Sequence, residues 1–398
     1  MTPEYKQQLE KNIGKYSWYK IFTKRVYLPL ITIQLVSAGK VTIGQLAVIS
    51  VISAIVQLVL QLPTGYFADR YGNRAAIVTG SWIAVTSPLL YVFMPNFVGG
   101  TIASVLFFGG WAFQSGAIEA FIHDTLVSLD REQQYAKVMG RAQSYGLIGN
   151  VVLLALIPAT YSINHALPFI LGFVSMLVML YLAYSFSYPP RDMTIKVRNP
   201  FAAARSIVNR QNIALFVFAG AMAGVSYRGG DYRELVWRHA GIAITLFGIL
   251  VALSSLVGAA MGRYLHTLDK LKPTTFYLFD LLYLSGFLLL VGLWNNPFSV
   301  VLAFTMLAAY DRVRMIVFQA KLLHDRQHAY KASLISALNL FGTIGQTVAI
   351  TVLAANVTHH GYQGGYVRFA ISVLAVGFIL WLIVVISVSS RTITLSES

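Results

Sequence analysis

The chain has 398 residues, of which 57% are hydrophobic and 11% charged, against about 45–50% and about 25% in soluble domains. So little polar side chain cannot cover a water-facing surface, which excludes a soluble globular domain. Without cysteine there is no disulfide and no thiolate-held metal, and the formal charge of +15 is spread over short loops, unlike the single patch of a nucleic-acid binder.

Residues 1–16 are polar and lack the apolar core of a signal peptide. Thr2-Pro3-Glu4 reads as a helix start, and Tyr16, Trp18 and Tyr19 suit a membrane interface, so a short helix lying along the cytoplasmic face is expected. A membrane-spanning helix needs about 20 mostly apolar residues. Twelve stretches qualify: 17–38, 43–66, 75–94, 98–120, 140–160, 166–187, 213–236, 243–262, 275–294, 298–319, 332–356 and 366–389. The polar stretch 188–212, opened by Pro189-Pro190, separates the sixth from the seventh. The expected fold is all-α, with two six-helix bundles (17–187 and 213–389), a linker (188–212) and a tail (390–398). Lys and Arg set the orientation. One side of the loops holds most of them, including Arg70, Arg74, Arg131, Lys137, Arg141, Arg191 and Lys196, and the other holds Lys40, Arg238 and Arg368. Both termini are therefore expected in the cytoplasm, and the chain in the cytoplasmic membrane.

Between spans two and three runs LPTGYFADRYGNR, Leu62 to Arg74. Gly65, Ala68, Asp69, Arg70, Gly72 and Arg74 match the G-x-L-A-D-R-x-G-R-K signature of the major facilitator superfamily, while Phe67 and Asn73 depart from it. Motif position and the six-plus-six layout agree, so the chain resembles that superfamily over essentially its whole length. The resemblance implies that spans one, four, seven and ten line a central cavity. It also implies that Gly65, Asp69, Arg70, Gly72 and Arg74 form a loop that latches the two halves on the cytoplasmic side. The glycines suit a tight turn and close helix approach, and Asp69 can cap a helix or pair with an arginine. The matching loop of the second half, GRYLHTLDKLKP from Gly262 to Pro273, is degraded. Ala112 stands where drug–proton antiporters of the family often carry an arginine, three residues before Ser115-Gly116, and span five has no Gly-Pro.

Charges at membrane depth cost about 2.5–3.5 kcal/mol on insertion scales and point to function. Span one carries Lys24 and Arg25 in its inner third, near Tyr27. Span four ends with Glu119, with His123 and Asp124 expected in the loop beyond. Span seven holds Arg228, Asp231, Arg233 and Glu234 around Gly229-Gly230, in its outer third. Asp280 is alone in span nine, where a neighbouring Tyr or Ser can bond it. Span ten contains Tyr310, Asp311, Arg312 and Arg314, and Asp311 and Arg314 share a face and can neutralise each other. His359-His360 reads as solvated, so no metal site is expected.

The resemblance implies a secondary active transporter, acting as a monomer in the bilayer. The inner-third charges on spans one and ten are mostly basic, which favours an anionic or zwitterionic organic solute. The expected substrate contacts are Lys24, Arg25, Tyr27, Arg228, Tyr310, Arg312 and Arg314, and the expected proton-coupling carboxylates are Glu119, Asp231, Asp280 and Asp311. Two alternatives are a proton-coupled exporter of amphipathic drugs or lipids and a non-transporting sensor. There is no G-x-x-x-x-G-K-[ST], no H-E-x-x-H and no G-x-S-x-G, so neither direct ATP driving nor membrane-enzyme chemistry is expected, and no cofactor.

Overall fold

A computed structural model describes residues 2–189, 210–264, 268, 270–294, 296–323 and 331–396. Most of the expected linker, and Asp269 of the degraded second loop, lie outside the described residues. Those described are helical, with no strand among them. The chain divides into two compact units: Met1–Lys196 with Ala243–Ala252, and Val197–Ile242 with Leu253–Ser398.

The first unit opens with α1 (Pro3–Phe22), where the Thr2 side chain accepts the Tyr5 N–H and Pro3 takes the first turn. The surface helix expected here is instead one helix with the start of span one. Leu9, Asn12, Tyr16 and Tyr19 recur at helical spacing and are fully buried. Asn12 exchanges hydrogen bonds with the Ser187 backbone N–H and carbonyl, each 2.9 Å, and Lys15 donates to the Ser185 carbonyl. Burial, and then the charges of Lys11 and Arg74, lower the Lys15 pKa from the ordinary lysine value.

Span one is broken between α1 and α2 (Leu28–Ser37). Pro29 is the cause: in an unbroken helix its ring would clash with the carbonyl four residues back, that of Arg25, which instead accepts the Leu28 N–H at 2.9 Å. Thr23 and Asn150 take up carbonyls at the end of α1, bonding Lys20 O at 3.0 Å and Ile21 O at 3.1 Å.

The helix α3 (Ile43–Tyr71) starts in a reciprocal capping box of Thr42 and Gln45. It ends on Gly72, whose φ of 98° favours glycine. Then come α4 (Asn73–Val85), α5 (Ser87–Phe93), α6 (Phe97–Gln114), α7 (Ala117–Ser128), α8 (Tyr135–Leu156) and α9 (Leu167–Ser185). Gly116, with φ of 80°, separates α6 from α7. Helix then resumes, so His123 and Asp124 lie in α7 and not in a loop. The helix α4 packs on α6 so closely that a Cβ on Gly80 would sit 2.5 Å from the Gly110 carbonyl oxygen.

The second unit comprises α10 (Arg210–Arg228), α11 (Arg233–His239), part of α12 (Phe247–Met261), α13 (Pro273–Leu293), α14 (Pro297–Leu323) and α15 (Lys331–Ser396). Gly361, at φ 68° and ψ −177°, breaks α15 into two helices. Within the unit, α10 lies along α15 through Gly220, Gly224 and Gly345, and a Cβ on Gly224 would meet the Gly345 carbonyl carbon at 2.2 Å. Eight helices among the described residues are long and apolar enough to cross a membrane, and nine if α10 and α11, bent by 44°, count as one. The helix α14 is long enough but carries Asp311, Arg312, Arg314 and Lys321.

Candidate functional site

The motif stretch is not a loop. Gly65 to Tyr71 continue α3, and Gly72 alone makes the turn into α4. Among the described residues, a Cβ on Gly65 would meet nothing within 4 Å. Asp69 and Arg70 are exposed in the last turn of α3, with the Arg70 guanidinium 5.4 Å from the Tyr71 ring centre. Arg74 works inside its own unit. It donates to the Phe186 and Tyr184 carbonyls at 2.7 and 2.5 Å and stacks on Tyr188, so it caps the C-terminal end of α9. Asn73, which departs from the motif, donates to Asp124 at 2.9 Å.

The break in span one sets Lys24 and Arg25 outside any helix. Lys24 is exposed and lies 5.7 Å from the Trp111 ring centre. Arg25 is half-buried, its guanidinium 4.2 Å from the Phe107 ring centre and 5.0 Å from that of Phe108. Such stacking stabilises a cation by about 0.5–2 kcal/mol, and the Arg25 side chain also hydrogen-bonds Tyr91. Arg25 forms no ion pair among the described residues. Tyr27 is fully buried against Tyr91 and Phe169 and shares a hydrogen bond with Ser87 at 3.3 Å, so it serves packing. Glu119, in the first turn of α7, pairs with Lys20 at 3.0 Å. Sequence reasoning missed Lys20 as its partner, because the two are 99 positions apart.

In the second unit the cluster of span ten is arranged differently from expectation. Arg314 does not pair with Asp311. It grips Asp280 with two bonds, 2.8 and 2.6 Å, while the Tyr310 hydroxyl donates to the same carboxylate at 2.9 Å. All three side chains are fully or almost fully buried. The two-pronged match of guanidinium and carboxylate offsets the cost of burying two charges, and it leaves neither carboxylate oxygen of Asp280 without a donor. Asp311 instead accepts from Ser226 at 2.7 Å and forms no ion pair among the described residues. Arg312 is exposed, donates to Ser255 at 2.9 Å and forms no ion pair among the described residues, with the Asp311 carboxylate acting on it only through its charge. Neither serine carried a sequence signal, since each is a small polar residue inside an apolar span.

The charges of span seven lie at the bend between α10 and α11. Arg228 pairs with Asp231 at 3.1 Å, and Arg233 with Glu234 at 2.8 Å. The Gly229 carbonyl, released by the bend, accepts the Tyr366 hydroxyl at 2.9 Å.

Fold and site together define a polytopic α-helical membrane protein with basic side chains that form no ion pair among the described residues, Arg25 and Arg312, one in each of its two units. The chain belongs to the Major Facilitator Superfamily, whose family model matches residues 20–350. It is 23% identical over 198 residues to the uncharacterized MFS-type transporter YxaM of Bacillus subtilis (strain 168), a match covering 46% of this chain and 47% of that one. The chain thus spans about half the length of that relative. Its fold is similar to that of a mutant of the nucleoside transporter NupG, with a TM-score of 0.80, 11% identity, and 95% of this chain and 99% of that chain covered. It is also similar to an auto-inhibited POT family peptide transporter, with a TM-score of 0.71, 12% identity, and 96% and 97% covered. At such identities the likeness is one of fold.

Proposed function

We propose that the protein is a secondary active transporter of twelve spans, with both termini in the cytoplasm. It moves a small organic anion or zwitterion across the cytoplasmic membrane by alternating access, driven by protons. The observation that carries the substrate class is that Arg25 and Arg312, both inside expected spans, form no ion pair among the described residues. A cation in so costly a place that no ion pair holds is suited to receive a counter-ion from a ligand. Lys24 adds to the same charge. Tyr27, Tyr310 and Arg314 support the helices around these residues, because their polar atoms are engaged. Among the four deep carboxylates, Asp311 is the preferred proton carrier, since Glu119, Asp231 and Asp280 are each held in an ion pair. Asp69, Arg70 and Gly72 act as the conformational latch.

The test is a thermal-shift screen of anionic, zwitterionic and neutral metabolites on the purified protein. Arg25→Gln and Arg312→Gln each weaken binding of the true substrate by about 1.5–3 kcal/mol, the range for a hydrogen bond to a charged group, and spare neutral ligands. Equal affinity of the wild type and both variants overturns the assignment.

A further inference from the structure

The first unit contains a groove of about 720 Å³ between α1 and α8 that the transport reading does not use. Its basic lining is Arg131, Lys137 and Arg141, its aromatic lining Trp18 and Tyr145, and its acid Glu10. Glu10 lies 3.7 Å from Arg131, whose guanidinium also donates to Gln134 at 2.9 and 3.1 Å. Lys137, Arg141 and Tyr145 follow one another at four-residue spacing, so they share one face of α8. Two like charges at that spacing repel, and an anion lying between them removes the penalty. These residues stand at the end of the helices that the basic-loop rule assigns to the cytoplasm.

The same face continues along α8 as Ile148, Val152 and Leu156, which are 62%, 49% and 63% exposed. From Tyr145 to Leu156 the helix rises about 16 Å, close to the roughly 15 Å of a single leaflet. Trp18, 61% exposed, and Tyr145, 44% exposed, mark the level between the two parts, where amphipathic rings sit at an interface. A basic groove followed by one leaflet's depth of exposed apolar helix matches a ligand with a charged head and a hydrocarbon tail. The linker is a poor occupant, because Arg191, Lys196, Arg198, Arg205 and Arg210 against Asp192 give it the same sign as the groove.

We propose that this groove binds the phosphate headgroup of an anionic phospholipid, with Lys137 and Arg141 holding the phosphate and the α8 stripe carrying an acyl chain. Basic pockets between transmembrane helices on the cytoplasmic side recognise such headgroups.

The test is native mass spectrometry of the full chain with dioleoylphosphatidylglycerol, with dioleoylphosphatidylcholine, and with glycerol 3-phosphate as a soluble competitor. Phosphatidylglycerol is retained in preference to phosphatidylcholine. Lys137→Gln and Arg141→Gln each weaken its retention about fivefold, the effect of removing one basic residue near anionic lipid. Lys270→Gln, an exposed lysine elsewhere, leaves it unchanged, and circular dichroism confirms that each variant is folded. Equal retention of the two lipids, or retention unchanged in both groove variants, overturns the proposal. Displacement of the lipid by glycerol 3-phosphate would show a site for soluble phosphates and overturn the lipid assignment.

Discussion

Asp280 and Arg314 illustrate how a charge in an apolar helix can be structural. Asp280 is the lone acid of its span, and its partners Tyr310 and Arg314 stand 30 and 34 positions later. Span ten shows Arg314 on the same face as Asp311, so local spacing suggested the nearer acid. Only the packing of α13 on α14 reveals the longer pairing. Removing one partner strands a buried charge, so Arg314→Gln is expected to destabilise the protein by about 3–5 kcal/mol, and Asp280→Asn likewise. Chemical unfolding in detergent checks this. The double variant Asp280→Asn with Arg314→Met, which strands no charge, is expected to recover part of the loss. Arg25 and Arg312 should behave differently, since removing a cation that no ion pair holds among the described residues strands no fully buried partner charge: their substitution is expected to change ligand binding more than stability.

At the level of elements, the helical character and the apolar stretches were legible, because a span must be about 20 apolar residues long. Breaks within spans were less legible. Pro29 and Gly116 were both visible as residues, yet the apolar runs around them read as continuous, and the consequence at Arg25 and at Glu119 emerges only from the helix ends. The N-terminal helix was misplaced for a related reason. Its buried face is made of Asn12, Tyr16 and Tyr19, which read as polar or interfacial, and its bonds run to Ser185 and Ser187 at the far end of the unit. Glycines were legible as small residues but not as contacts. Gly224 meets backbone, which cannot yield, so Gly224→Ala is expected to cost about 1–3 kcal/mol through overpacking. Gly65→Ala, with open space around the added carbon, is expected to be neutral or stabilising, by up to about 1 kcal/mol in a helix interior. Melting temperatures of the two variants decide both.

Over the whole molecule, the family motif supplies the expectation of a latch, and its residues divide by what they touch. Arg74 is committed to the end of α9, whereas Asp69 and Arg70 are exposed. Asp69→Asn is therefore expected to slow transport with the fold intact, and Arg74→Gln to lower thermal stability. Undiminished transport by the Asp69 variant would remove Asp69 from the latch. The central claim is proton-driven transport of an organic anion or zwitterion, and flux into proteoliposomes under an imposed pH gradient tests it most directly. The solute is the compound that binds the wild type more tightly than Arg25→Gln and Arg312→Gln. The account predicts accumulation against a concentration gradient that a protonophore abolishes, and exchange without accumulation in Asp311→Asn. Flux no greater than in protein-free vesicles, or flux indifferent to the pH gradient, would contradict it.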